Sequence, residues 1–270
     1  MSLEIRDPRM KDVAGEAVKV ERLADGIGFG EGPVWDRAGR RLIFSDMKHD
    51  HMRAWQEGKG ISTFRRPSNK ANGNTYDRQG RLVSCEHATS RVVRQEKNGA
   101  IYFSDPSFGR IREDVGVPRP LQLDFRGVYR VAGDGAPAQL LASDFDMPNG
   151  LCFTHDEKKM FINDTPRLHI RVYDVKADGT IAGGQVWAET TGEGEGRPDG
   201  MKFDSAGHLY CTGPGGVHVF DGAARCLGVI RTPERVTNIA WGDDDLRSLY
   251  MTGITALYRA RVRMPGRLTW

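Results

Sequence analysis

Along most of the chain apolar and polar residues alternate in short runs, interrupted by clusters of Asp, Gly, Asn and Lys. A period of two sends successive side chains to opposite faces, so these runs predict half-buried β-strands, and the clusters between them predict tight turns. One phrase recurs: EGPVWDRAGRRLIFSD from Glu31, NGNTYDRQGRLVSCEH from Asn72, PNGLCFTHDEKKMFIND from Pro148, PDGMKFDSAGHLYCTG from Pro198 and TNIAWGDDDLRSLYMTG from Thr237. NGAIYFSDPSFG, from Asn98, supplies only the second half of the phrase. Each full phrase reads as strand, turn, strand.

Further short strands follow most of these hairpins, among them HMRAWQ, RVVRQE, GVYRVA and GVHVF. Four strands per unit, repeated radially, make propeller blades. The matched glycines Gly32 and Gly73 lie 41 residues apart and Gly150 and Gly200 lie 50 apart, which suits one blade each; the 77 residues from Gly73 to Gly150 must hold two. The expected fold is all-β, a six-bladed β-propeller of four-stranded blades around a central channel. Residues 1–16 are expected as an N-terminal extension and 17–270 as one propeller domain, with AVKVERL lending a strand to the last blade so that the ring closes without a long exposed edge. The aromatics Trp35, Tyr76, Phe153, Phe203 and Trp241 recur at one place on the first strand and are expected to pack blade on blade.

Composition narrows the function. With 39 Lys and Arg against 36 Asp and Glu among 270 residues, and no long basic run, nothing marks a nucleic-acid footprint. No apolar stretch approaches the ~20 residues of a spanning helix, and the charged N-terminus does not read as a secretory signal, so a cytoplasmic protein with no membrane partner is expected. Cys85, Cys152, Cys211 and Cys226 are too scattered for a zinc cluster or a disulfide framework and are expected as free thiols. The 33 glycines are well above average usage and fit a chain of many turns.

Hairpin geometry places the start of every first strand and the exit of every second strand on one face, at the channel mouth. The starts are Glu31, Asn72, Asn149, Asp199 and Asn238; the exits include Asp46, Glu86, Asp105 and Asp164. Converging carboxylate and amide oxygens are the donors of a hard cation, Ca²⁺ first among them. Asn72, Asn163 and Asn238 also read as ordinary turn formers. Glu31 does not, because its setting, FGEGPVW, is apolar and a lone charge there is costly.

The phrases FGEGPVWD, FSDPSFG, MPNGLCF and RPDGMKFDSAGHLY together resemble the SMP-30/gluconolactonase/LRE family, its bacterial gluconolactonases in particular, over roughly residues 20 to 260. The resemblance implies a six-bladed propeller that binds one divalent cation and hydrolyses a sugar lactone. Position by position, it implies metal binding by Glu31, Asn149 and Asp199, with Asp199 also moving the proton. A further ligand, an Asn in an SPND-like phrase opening the third blade, has no counterpart; it belongs between Lys97 and Asn98. Deleting an inner strand would open the channel wall, so a segment omitted from the sequence is expected rather than a true loss.

The implied chemistry is metal-dependent hydrolysis of a gluconolactone-like ring to the aldonic acid. Ca²⁺ is the expected cation, with Zn²⁺, Mn²⁺ or Mg²⁺ as alternatives, and Asn72, His87 and Asp105 are expected to bind the substrate's hydroxyls. Two rival readings are a metal-dependent esterase or organophosphate hydrolase on the same propeller, and a non-catalytic binding propeller with structural calcium. A serine triad around Ser107 is not expected. A monomer or weak dimer is expected.

Overall fold

The computed structural model describes residues 2–77, 79–89, 91–133 apart from 95–99, and 136–267, with the backbone alone for 91–94. The N-terminal segment holds β1 (Leu3–Ile5), a one-turn helix α1 (Met10–Ala14) and β2 (Val20–Ala24). The first sheet is β3 (Gly30–Asp36), β4 (Arg41–Asp46), β5 (His51–Gln56) and β6 (Gly60–Arg65); the second is β7 (Ala71–Tyr76), β8 (Leu82–Glu86) and β9 (Arg91–Arg94). The third holds β10 (Ile101–Asp105), β11 (Arg126–Val131) and β12 (Gln139–Phe145), with a short helix α2 (Phe108–Ile111) in the loop after β10. The fourth is β13 (Pro148–Phe153), β14 (Lys159–Asp164), β15 (His169–Val175) and β16 (Ile181–Glu189). The fifth comprises β17 (Met201–Phe203), β18 (Leu209–Gly213), β19 (Gly216–Phe220) and β20 (Cys226–Arg231), extended by β1; the sixth comprises β21 (Val236–Gly242), β22 (Ser248–Gly253) and β23 (Leu257–Arg261), closed by β2.

The all-β propeller is therefore the fold, and AVKVERL does close the last sheet, Val20 pairing with Ala260. The expectation of six four-stranded blades is corrected. Among the described residues the second and third sheets have three strands, the fifth has five, and five sheets rather than six present an inner strand to the channel. The reason is chain length: six residues separate β9 from β10, too few for an outer strand and an inner strand of ordinary length. The expected segment between Lys97 and Asn98 lies outside the described residues.

Every hairpin of the repeat has the same register. Trp35 faces Leu42, Tyr76 faces Leu82, Phe153 faces Met160, Phe203 faces Leu209 and Trp241 faces Leu249. The turn aspartates make this possible: Asp36 Oδ1 accepts from the Gly39 amide, Asp77 Oδ1 from those of Gln79 and Arg81, and Asp204 Oδ1 from those of Ala206 and His208. The first-strand aromatics pack on the preceding sheet's second strand, as expected. Trp35 stacks on Tyr250 at 5.6 Å between ring centroids, Phe153 meets Tyr102 at 5.0 Å, Phe203 meets Phe161 at 5.2 Å and Trp241 meets Tyr210 at 4.8 Å.

Residues 2–16 join the same body. β1 pairs with β20, and Met10, Val13 and Ala14 of α1 are buried with Val217, Val219, Leu227 and Ile230 in the core of the fifth and sixth sheets.

Candidate metal centre at the channel mouth

A pairing irregularity interrupts the inner strand between Glu31 and Val34, Ala71 and Asn74, Pro148 and Leu151, and Val236 and Asn238. A bulge re-aims the side chains beside it; Asn72 and Asn149 lie within the interruption, and Glu31 and Asn238 are paired residues that border it. The motif glycines let neighbouring strands approach there. A Cβ on Gly32 would lie 2.1 Å from the Asn72 carbonyl oxygen, one on Gly150 1.8 Å from that of Asp199, and one on Gly200 2.1 Å from Asn238 Oδ1. A Cβ on Gly73 would meet no described atom within 4 Å.

Glu31 and Asp199 are 2% and 5% exposed, and they come from opposite ends of the chain to one place. Glu31 Oε2 accepts from the Gly32 amide and from Asn238 Nδ2, each at 3.1 Å. Asp199 is hydrogen-bonded by the Asn149 side chain, whose Nδ2 also donates to Thr165 Oγ1 at 3.1 Å. Burial raises the pKa of both carboxyls; the negative charge of Glu31 pushes Asp199 further up, and Arg235 pulls both back down. Lys202, also beside Glu31, has its amine pKa lowered by burial, and the neighbouring Cys152 thiol is pushed up to about 12.

The three expected ligands thus converge. Neither carboxylate has a Lys, Arg or His nitrogen within 4.0 Å among the described residues, and two desolvated like charges side by side raise each other's cost. Two carboxylates and an amide oxygen are hard donors that fit a divalent cation, which would remove that repulsion. Among the described residues no three His, Cys, Asp or Glu side chains form a metal cluster; the third donor in this set is the amide of Asn149.

The expected substrate residues stand apart from this trio. Asn72 Nδ2 points to Met47 Sδ at 3.4 Å, while its carbonyl accepts from Ser45 Oγ at 3.0 Å. The His87 ring lies under Gly109 of the loop after β10, with Nδ1 3.0 Å from the Val115 carbonyl, and burial lowers its pKa. Asp105 ends β10 with an exposed outer edge; protein packed on its inner side raises its pKa against the pull of Arg110.

The second-strand exit acids hold backbone and arginine. Asp46 accepts from the Gly28 amide and pairs with Arg53 Nε at 2.6 Å, and Asp164 accepts from the amides of Asp146 and Met147. Glu86 pairs with Arg65 and Asn69. The residue before each exit pins the next inner strand: Ser45 Oγ donates to the Asn72 carbonyl, Ser104 Oγ to that of Asn149 at 2.7 Å, and Asn163 Nδ2 to that of Asp199 at 2.6 Å.

Sequence reasoning passed over Lys202 and Arg235 and read Asn238 as a turn former. By register Thr237 matches Asn149 and Asn238 falls where the other phrases carry Gly32, Gly73, Gly150 and Gly200, so an amide in place of that glycine was the signal.

Relatives of known sequence and structure resemble the chain along most of its length. The chain matches the SMP-30/Gluconolactonase/LRE-like region over residues 29–98 and 93–255, two segments that meet where the second and third sheets are short. It is 26% identical to a gluconolactonase of Zymomonas mobilis over 308 aligned positions, 96% of this chain and 85% of that one; the alignment is longer than the chain itself, so the relative carries residues that this chain lacks. A pentonolactonase of Haloferax volcanii is 27% identical over 255 positions, 86% of this chain and 84% of that one. A solved gluconolactonase from Xanthomonas campestris superposes with a TM-score of 0.88 at 29% identity, covering 97% of this chain and 95% of that one. The chain belongs to the SMP-30/gluconolactonase/LRE-like family.

Proposed function

We propose that the protein is a sugar-lactone hydrolase whose channel mouth holds one divalent cation, Ca²⁺ before Zn²⁺, Mn²⁺ or Mg²⁺, on Glu31, Asn149 and Asp199. The observation that carries this reading is the burial of Glu31 and Asp199 side by side, with the Asn149 amide on Asp199. Relatives named gluconolactonase and pentonolactonase along most of the chain support the substrate class.

A cation bound there supplies Lewis-acid polarisation of the lactone carbonyl and makes a nearby water more acidic. The side chains do the rest. Asp199 accepts a proton from the water as it attacks the carbonyl carbon and returns it to the ring oxygen as the ring C–O bond breaks, and Asn149 fixes the carboxylate that carries it. Glu31 is held in one orientation by Gly32 N–H and Asn238 Nδ2–H, so its charge stays directed at the same point through the reaction. Asn72 and Asp105 present polar groups around the mouth for the ring hydroxyls, and His87 serves the substrate through the loop it carries.

Acid release from glucono-1,5-lactone tests the reading. Chelation is expected to abolish catalysis and Ca²⁺ to restore it, while Asp199→Asn lowers kcat by about 10³. Turnover indifferent to both chelator and Asp199→Asn would overturn the mechanism; Ca²⁺ binding with no turnover of any ester would make the propeller a binding protein.

A further inference from the structure

The loop between β10 and β11 leaves the third sheet and brings Arg112 to the entry of the first. Its Arg112 guanidinium lies over the Phe29 ring, 5.4 Å from the centroid, although Phe29 belongs to the entry of the first sheet, two residues before Glu31. Arg235, at the entry of the sixth sheet, lies over the same ring at 5.8 Å. One aromatic side chain thus gathers two cations from two other sheets beside the carboxylate pair.

Arg112 is partly neutralised by Asp114, through Nε at 3.0 Å and through a second, shorter contact. Arg235 is not. Among the described residues no carboxylate oxygen comes within 4.0 Å of it, and its Nε is buried without a hydrogen-bond partner. The neighbouring Glu234 is engaged elsewhere, accepting from the Thr255 amide and hydroxyl and from the Tyr258 hydroxyl. Stacking on Phe29 occupies the flat face of a guanidinium and leaves its N–H edge, the part that reads oxyanions in a fork, turned to other acceptors. A desolvated donor without an acceptor is costly, and a site built around it discriminates for the ligand that satisfies it.

We propose that Arg235, assisted by Arg112, forms an oxyanion subsite, and that the substrate is the lactone of an acidic sugar, with a carboxylate, sulfonate or phosphate away from the reacting carbonyl. This rests on the lactonase reading for the reaction, but not for the binding. A neutral aldonolactone leaves the Arg235 edge empty; an anionic substituent fills it with charge-assisted hydrogen bonds. The aldonate product of a neutral lactone carries one anionic group, formed at the reacting carbon, whereas an acidic sugar brings a second one before reaction.

The test compares glucono-1,4-lactone with glucaro-1,4-lactone, which differ in a hydroxymethyl against a carboxylate. The wild-type protein is expected to favour the glucarolactone by tenfold or more in kcat/KM. Arg235→Gln is expected to bring that ratio near one, and Arg112→Gln to lower it severalfold; raising salt from 50 to 500 mM lowers it as well. A wild-type ratio of one or less, or a ratio that Arg235→Gln leaves in place, overturns the proposal. A parallel titration calorimetry series with gluconate and glucarate needs no turnover. Tighter glucarate binding that Arg235→Gln removes supports the subsite even if no lactone is hydrolysed, in which case the lactonase reading alone fails; equal binding of the two acids overturns the subsite. If Arg235→Gln does not fold, the Arg112→Gln and salt arms decide alone.

Discussion

The fifth and sixth sheets and the second and third sheets descend from the same repeated phrase and are built to different standards. In the former, β18, β19 and β22 are buried along their whole length, and eighteen buried residues around Tyr210, Ile239 and Tyr258 form one core cluster that the N-terminal helix seals. In the latter, two strands are missing among the described residues, β12 is largely exposed, and the loop after β10 shows Ile111, Val117, Leu121 and Leu123 to solvent. The functional groups divide the same way. Glu31, Asn149, Asp199 and Asn238 come from sheets that keep their inner strands, whereas His87, Asp105 and Arg112 come from the incomplete side. A cation site needs fixed oxygens, which complete strands and their bulges provide; a substrate mouth needs room, which a shortened wall and a long loop provide.

The strongest way to break this comparison is to make the same substitution at the same motif position on both sides. Gly150→Ala drives a Cβ into the Asp199 carbonyl, a backbone atom that cannot step aside, so it is expected to cost about 3 kcal/mol and most of the lactonase activity. Gly73→Ala meets nothing described within 4 Å, at an ordinary φ, and is expected to leave stability unchanged or raise it by about 0.5 kcal/mol. Thermal unfolding of the two variants measures both. A loss at Gly73→Ala equal to that at Gly150→Ala would mean that an inner strand does stand against Gly73.

Much of this was legible in the chain, because the repeat writes one physical requirement several times. The turn aspartates and the first-strand aromatics do in the structure what their positions in the phrase suggested, and Glu31, Asn149 and Asp199 meet at one place. The number and completeness of the blades were less legible: strand count depends on how many residues lie between phrases, and the fifth strand of the fifth sheet comes from Leu3–Ile5, which carries no copy of the motif. The exit acids misled for a different reason. Asp46 and Asp164 have the right chemistry at the right face, but loop amides claim them first. Lys202 sits inside its phrase where the other copies carry Val34, Thr75, Cys152 and Ala240, and Arg235 stands just before its phrase, so no repeated residue type announced either.

The well-packed side carries a liability to acid that sharpens the contrast. His218 on β19 is fully buried; Nε2 bonds the Pro214 carbonyl at 3.0 Å, Nδ1 has no partner among the described residues, and burial lowers its pKa to about 4. An unfolded chain takes up that proton near pH 6.5, so between 6.5 and 4 it binds more protons than the folded one and stability falls as pH falls, by roughly 3 kcal/mol in all. His218→Gln is expected to flatten this part of the curve of unfolding free energy against pH. An unchanged slope would show that acid acts elsewhere, the lowered pKa of His87 beneath the mouth loop being the next place to look.

The smallest expected effect separates the two kinds of wall most finely. Ser45 and Ser104 are equivalent residues, each donating to the carbonyl of the next inner strand, at Asn72 and Asn149. Each hydrogen bond removed is worth about 1 kcal/mol; Ser104→Ala removes one, and Ser45→Ala removes two, because Ser45 Oγ also accepts from Asn74 Nδ2 at 2.9 Å. Asn74 Nδ2 also donates to the Asn72 carbonyl, so that oxygen stays satisfied after Ser45→Ala. Ser104 lies on β10, the innermost described strand of its sheet, so its bond ties an incomplete sheet directly to a cation-site strand. Ser104→Ala is therefore expected to lower divalent-cation affinity severalfold as well as Tm, and Ser45→Ala to lower Tm alone. Cation titration of the two variants reads the difference; equal affinities would mean that Asn149 is positioned by its own sheet and owes nothing to its short neighbour.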